Sequence, residues 1–173
     1  MGLYLIGNGI TPTSSAAFIP VTSGTSLKTL LQLKPLTGID LRLWAWGFSC
    51  DASAAATPGK VELVETDVAA TVTASVTGDI TRYQNPGGPA ADTGLVSLGT
   101  AATGYTASVE GSITVTRYLD GPVLVPPTGP FTIQIPLGAH PLVQAAKFAR
   151  IRCTFGAAVN VYCWMLFAPD GGQ

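Results

Sequence analysis

Charge is what this chain has least of. Its 173 residues include 9 Lys and Arg against 10 Asp and Glu, 11% in all, for a formal net charge of -1. An ordinary soluble domain carries about 25%. Without a basic excess there is no footprint for a phosphate backbone, so nucleic acid is not an expected partner. A single histidine and three cysteines exclude most metal sites and His-based catalytic arrangements built from this chain alone; no cofactor and no enzymatic activity are expected. No apolar run approaches the roughly 18 residues of a spanning helix, and the strongest, 161–168, has the length of a strand. A membrane is therefore not an expected partner. Residues 1–9 hold no Lys or Arg before an apolar run that Gly7 cuts short, so no secretory signal is read there. Ile6 stands where a myristoylation motif requires Ser or Thr. Cys50, Cys153 and Cys163 show no C-x-x-C spacing and lie in apolar strand patterns, which predicts buried free thiols and cytosolic synthesis.

What is abundant is hydrophobic residues, at 47%, with 20 Gly and 13 Pro, and the mean hydropathy is +0.38. The length suits one core: a β-domain over 18–173, preceded by an N-terminal arm over 1–17. Gly and Pro punctuate segments rich in Val, Ile and Thr, the spacing of an all-β sandwich or barrel. The clearest strand spans 40–51 and is apolar on both faces, with Leu41, Leu43 and Ala45 on one and Trp44, Trp46 and Phe48 on the other. It should be central. Residues 60–66 alternate as a half-exposed strand would, after a loop over 52–59. Residues 67–71 fit a capped short helix or the approach to a strand at 72–76. Asn85-Pro86-Gly87-Gly88-Pro89 reads as an exposed loop.

Strands follow at 105–109 and 112–119, with Glu110-Gly111 as a turn or bulge between them. Gly121-Pro122 reads as a breaker, and Phe131, Ile133 and Ile135 as one face of a further strand. Residues 148–155 and 158–168 are expected to form a hairpin around Gly156-Ala157. In its second strand Val161, Cys163, Met165 and Phe167 share a face, with Tyr162, Trp164 and Leu166 opposite. About eight strands with long loops predict a jelly-roll-like double-sheet sandwich.

Reactive groups do not converge. His140 sits in a turn without a G-x-S-x-G or H-x-x-x-H context. Glu62 and Glu65, three apart, fall on opposite faces of a strand and read as solvated edges. The aspartates stand mostly at strand ends, where they cap backbone, and no calcium-loop run is present. Gly7-Asn8-Gly9 lacks the third glycine and the βαβ context of a dinucleotide site. Arg150 and Arg152 share one strand face, where they could clamp an anion, meet cross-strand acids or meet a neighbouring subunit. Trp44, Trp46, Trp164, Tyr83, Tyr105 and Tyr118 suggest a sugar platform, but the two tryptophans of 40–51 fit core packing better.

Several segments carry a resemblance: Tyr4-Leu5-Ile6-Gly7-Asn8 with Thr11-Pro12, Trp46-Gly47-Phe48-Ser49, Ala54-Ala55-Ala56-Thr57-Pro58 and Val61-Glu62-Leu63-Val64-Glu65-Thr66. Further on come Leu98-Gly99-Thr100, Gly104-Tyr105-Thr106-Ala107, Glu110-Gly111, Pro136-Leu137-Gly138, Phe148-Ala149-Arg150-Ile151-Arg152 and Val159-Asn160-Val161-Tyr162-Cys163. Together they resemble the small auxiliary head proteins that decorate capsids of tailed bacteriophages. The resemblance implies a jelly-roll-type sandwich, often trimeric, made in the host cytoplasm and located on the outer surface of the virion. It also implies attachment to the major capsid protein and reinforcement of the shell, with no catalytic residue to carry over. The low charge agrees with a surface covered by partners. Expected contacts are Leu3, Tyr4, Leu5 and Ile6 of the arm, Tyr83 and Asn85 of the loop over 83–93, and Arg150 and Arg152. The alternative is a receptor- or carbohydrate-binding module of a phage tail or fibre, with a surface glycan as partner. Trp44 or Trp46 exposed on a concave sheet face would favour it; an enzyme would need titratable groups converging in a pocket.

Overall fold

The structure, a computed structural model, describes residues 2–12, 19–51, 57–84, 94–112 and 114–170. The chain begins with β1 (Tyr4–Gly7), β2 (Val21–Thr22), β3 (Lys28–Leu33) and β4 (Leu41–Asp51). It continues through β5 (Gly59–Thr66), β6 (Thr71–Ala74), a 3-10 turn at Thr77–Asp79, β7 (Ile80–Arg82) and β8 (Gly104–Val109). The last third holds β9 (Val115–Val125), β10 (Thr128–Gln134), β11 (Leu142–Val143), β12 (Phe148–Thr154) and β13 (Asn160–Pro169). One sheet has the order β10-β4-β13-β1-β7, with β11 beside β4 and β2 beside β13, making seven strands. The other has the order β6-β8-β3-β12-β5-β9. All the named strand pairs are antiparallel. The two sheets form an all-β double-sheet sandwich, and the chain passes repeatedly from one sheet to the other. Where about eight strands are expected the described residues form thirteen, among them short ones such as β2 and β11, too brief to show a period.

Alternation builds the core. Ile6, Trp46, Phe48, Met165 and Phe167 of the seven-stranded sheet are buried with Leu31, Leu33, Leu63, Ile151 and Cys153 of the six-stranded one. Each large side chain so buried stabilises by about 1.5–3 kcal/mol.

Four expectations change. Residues 148–154 and 160–169 are strands, but they do not pair with each other: β12 lies between β3 and β5, whereas β13 lies between β4 and β1. Their connection crosses the sandwich, burying Phe155 and Val159, and two apolar strands in succession cannot announce which sheet each joins. In β4 the alternation slips. Ala45 faces Leu166 and Leu43 faces Phe167, leaving Trp44 as an extra residue. This bulge puts Leu41, Leu43, Trp46 and Phe48 into the core and Trp44 on the outside, so the two tryptophans do not share a face. Residues 60–66 are buried on both faces rather than half-exposed. Finally, β9 runs through Gly121-Pro122 because it is an edge strand, where a proline's missing N–H breaks no ladder.

The predicted arm is not free either: its residues 4–7 are β1, hydrogen-bonded between β13 and β7. Its end at residue 17 lies outside the described residues, as does most of the loop over 83–93. Residues 67–70 form no helix, and the strand begins at Thr71.

Candidate functional site

Three surfaces collect the residues singled out in the sequence. The first is the outer face of the six-stranded sheet. Arg150 and Arg152 alternate with core residues Ala149, Ile151 and Cys153 and so point away from the core. Yet Arg150 is 0% exposed and Glu62 1%. Arg152 pairs with Glu62, its neighbour in register, and Lys60 Nζ stands 3.1 Å from the other Glu62 oxygen. Arg150 donates to Gln32 Oε1 and to the Val68 carbonyl, each at 2.9 Å. A bulge between β3 and β12 leaves the Thr29 N–H to donate to Glu110, at 2.5 Å, and the same carboxylate lies 3.6 Å from Arg150. Burial, partly offset by Glu110, lowers the Arg150 pKa to about 10. Both arginines are thus consumed by cross-strand acids and covering loops. As partner contacts they are corrected: neither reaches the surface, and Glu62 and Glu65 are not solvated edges.

The second is a groove of about 540 Å³ on the outer face of the seven-stranded sheet. Leu3 and Leu5 line it, together with Trp44, Tyr83, Tyr162, Trp164 and Leu166. Among the described residues its polar lining is Gln84, Thr132 and Gln134, with no charged side chain. Tyr4 and Ile6, the alternate residues of β1, are turned into the core; as contacts they are corrected by the strand's period of two. Asn85 lies outside the described residues. The Trp44 indole stacks on His140 at 4.1 Å between ring centroids, and its Nε1 is buried without a hydrogen-bond partner. His140 therefore packs on a residue of this groove without lining it, a contact that spacing alone could not reveal.

The third surface is aliphatic. Ile10 and Ile19 are 65% and 78% exposed around a depression of about 490 Å³ that Tyr105 and Thr106 also line. Beside it, the Thr11 N–H and the Val76 N–H donate to the two oxygens of Asp79, at 3.1 and 2.9 Å. That clamp holds Val76, 61% exposed, near Ile10. Thr106 has φ +54, a left-handed conformation that a β-branched residue seldom adopts. The sequence carried no sign of it.

The three thiols are free and buried. Desolvation raises the Cys50 pKa to about 11 and that of Cys153 to about 12. Among the described residues no three His, Cys, Asp or Glu side chains are placed to hold a metal ion, and no described helix is long and apolar enough to cross a membrane. Comparison of the chain with protein-family models, curated proteins and solved structures gave no match.

Proposed function

We propose that this is a structural protein of a bacteriophage virion, decorating and stabilising the outer capsid surface by binding the major capsid protein as a homo-oligomer, a trimer. The observation that carries the reading is the aliphatic surface of Ile10, Ile19 and Val76, exposed apolar area of a kind that usually marks an interaction site. Scarce charge supports it, because a shell contact made here desolvates few ions. The test is sedimentation of the protein with capsid shells that lack it. The wild-type chain should co-sediment, and an Ile10→Asp, Ile19→Asp variant should stay in the supernatant. Equal co-sedimentation of the two would overturn the reading. Light scattering should give the mass of three chains.

The aromatic groove favours a second reading, a receptor- or carbohydrate-binding module of a tail or fibre. Trp44, half-buried, lies on the outer sheet face and lines the groove beside Tyr83, Tyr162 and Trp164. Failure to co-sediment with shells together with retention on a glycan would select it.

A further inference from the structure

We infer that Asp120-Gly121, in the edge strand β9, is a self-modification site at which the chain converts its own aspartate to isoaspartate through a cyclic imide. The reaction needs only residues of this chain and water, and so stands apart from the capsid and glycan readings.

Three dipeptides in the chain set an aspartate or asparagine before a glycine: Asn8-Gly9, Asp120-Gly121 and Asp170-Gly171. A glycine puts no side chain between its backbone nitrogen and the preceding carboxyl or amide carbon, so each could cyclise. Folding decides which does. At Asp120 it brings the reacting groups together. The ladder between β5 and β9 passes from Leu63 with Asp120 to Val61 with Val123, so Gly121 and Pro122 together stand opposite Glu62 alone. The bulge takes Gly121 out of the ladder, and its N–H donates instead to Asp120 Oδ1, at 2.9 Å. The other carboxyl oxygen, Oδ2, accepts from the Trp46 indole N–H at 2.8 Å, and Trp46 is fully buried. The carboxyl group is thus pinned from the core with the nitrogen beside it. Gly121 itself is exposed, and a Cβ there would meet nothing within 4 Å, so water reaches the site.

The chemistry is a ring closure followed by hydrolysis. The Gly121 nitrogen bonds to Asp120 Cγ, and one Cγ–O bond breaks; that oxygen leaves as water with the amide proton and the carboxyl proton, the latter drawn from solvent when the group is ionised. A five-membered imide results. Water then adds to one of its two carbonyls. Cleavage of the bond from nitrogen to Cγ restores aspartate, whereas cleavage at the main-chain carbonyl carbon routes the chain through Cβ and Cγ and frees the α-carboxylate. Nothing is oxidised or reduced, and the final mass equals the starting one. Holding nitrogen and carboxyl side by side supplies in advance the orientation that an unfolded chain must find by rotation. Isoaspartate adds one carbon to the main chain, which an edge strand already bulged at this point takes up.

Asn8 shows the opposite arrangement. Its Nδ2 donates to the Val161 carbonyl and its Oδ1 accepts from the Cys163 N–H, each at 2.9 Å, and the residue is buried. The side-chain amide is bound to β13 and shut away from water, so folding shields this dipeptide. Gly171 lies outside the described residues.

The experiment incubates the full chain in neutral buffer at physiological temperature, folded and, in parallel, denatured in guanidinium. Peptide mapping by mass spectrometry, with labelling by an isoaspartyl methyltransferase, follows each dipeptide over time. In the folded chain isoaspartate should accumulate at Asp120 at least as fast as in the denatured chain, preceded by a peptide lighter by one water. Asn8 should convert about tenfold or more slowly in the folded chain than in the denatured one. Trp46→Phe keeps a ring in the core and removes the donor, so it should slow conversion of Asp120 in the folded chain and leave the denatured rate unchanged. Because Trp46 belongs to the core, Gly121→Ala, in open space at the sheet edge, provides a variant that keeps the fold and should slow Asp120 severalfold. Conversion of Asp120 that is slower folded than denatured would mean that the two hydrogen bonds lock the carboxyl instead of presenting it, and would overturn the inference. An unchanged rate in Gly121→Ala would overturn it as well, since the Gly121 nitrogen would then not be the attacking group.

Discussion

The outer faces of the two sheets reverse the common arrangement of polar outside and apolar inside. On the six-stranded sheet the outward residues are charged or polar, Arg150, Arg152, Glu62 and Gln32, and all are buried. On the seven-stranded sheet they are aromatic and aliphatic, Trp164, Tyr162 and Leu5, and they line an open groove. The difference lies in what the chain folds over each. Gln32 and Arg150 bind the backbone of the segment after β5 through Val68 and Ala70, so the charges anchor a cover. Among the described residues, the polar members lining the groove on the aromatic face are amides and hydroxyls. A buried ion needs partners within its own chain, whereas an apolar face can wait for a partner from outside. The first face is therefore structural, and the second is where ligands are to be sought.

Breaking one partner of the buried face should give the largest effect. Glu62→Gln leaves Arg152 charged and unmatched inside the protein and should destabilise it by about 3–5 kcal/mol in denaturant unfolding. Lys60, whose side chain is 41% exposed, should cost less than about 1 kcal/mol when changed to Ala. Similar losses from the two would mean that the face is wetter than its burial indicates.

Between the faces lie the thiols. Their pKa values are raised in the folded state, so the native protein holds protons that the unfolded chain releases. The thiols' contribution to stability is full below the ordinary thiol value of 9.0 and is lost as pH rises toward about 11 for Cys50 and about 12 for Cys153. The loss from such shifts is on the order of a few kcal/mol. The unfolding midpoint should fall between pH 9 and 11, less steeply for Cys153→Ala, and at pH 8 Ellman's reagent should find no native thiol. Prompt native labelling would show that the core opens.

How much of this could be read in advance depended on period. The alternation at 161–167 assigned Tyr162, Trp164 and Leu166 to one face and Cys163, Met165 and Phe167 to the other, and the sandwich keeps that division. Three features escaped it for physical reasons. A bulge at Trp44 shifts phase without a glycine to mark it. The crossing at 155–159 resembles a hairpin turn because both flanking strands are apolar. Arg150 and Glu62 are charged, and only the loops of the folded chain bury them. For the site, Leu3, Leu5 and Tyr83, expected as contacts, line the groove. The close approach of Gly47 to the Trp164 ring and of Gly7 to the Tyr162 ring was not legible, because these residues meet only through sheet pairing.

A smaller effect belongs to the aliphatic surface. Thr106→Gly removes the left-handed strain of a β-branched residue, of about 1–2 kcal/mol, and adds back part of it as chain entropy. A net gain of about 0.5–1 kcal/mol is expected, read as a higher melting temperature. If stability falls, side-chain contacts of Thr106 outweigh the strain.

The smallest effects should come from the open face, and they sharpen the comparison most. Tyr83 is exposed and Leu5 half-buried, and neither holds another segment in place through a side-chain hydrogen bond that could be lost. Tyr83→Ser and Leu5→Thr should each shift stability by no more than about 0.5 kcal/mol, one-sixth or less of the Glu62→Gln loss. The β-branched threonine retains the strand preference at position 5, so the change removes apolar surface with little disturbance of the ladder. If the aromatic face exists to be covered by a ligand, its residues are free to change without cost to the fold, and the cost appears in binding. A loss above about 2 kcal/mol from Leu5→Thr would mean instead that this face is part of the chain's own core, and the contrast between the two sheets would fail.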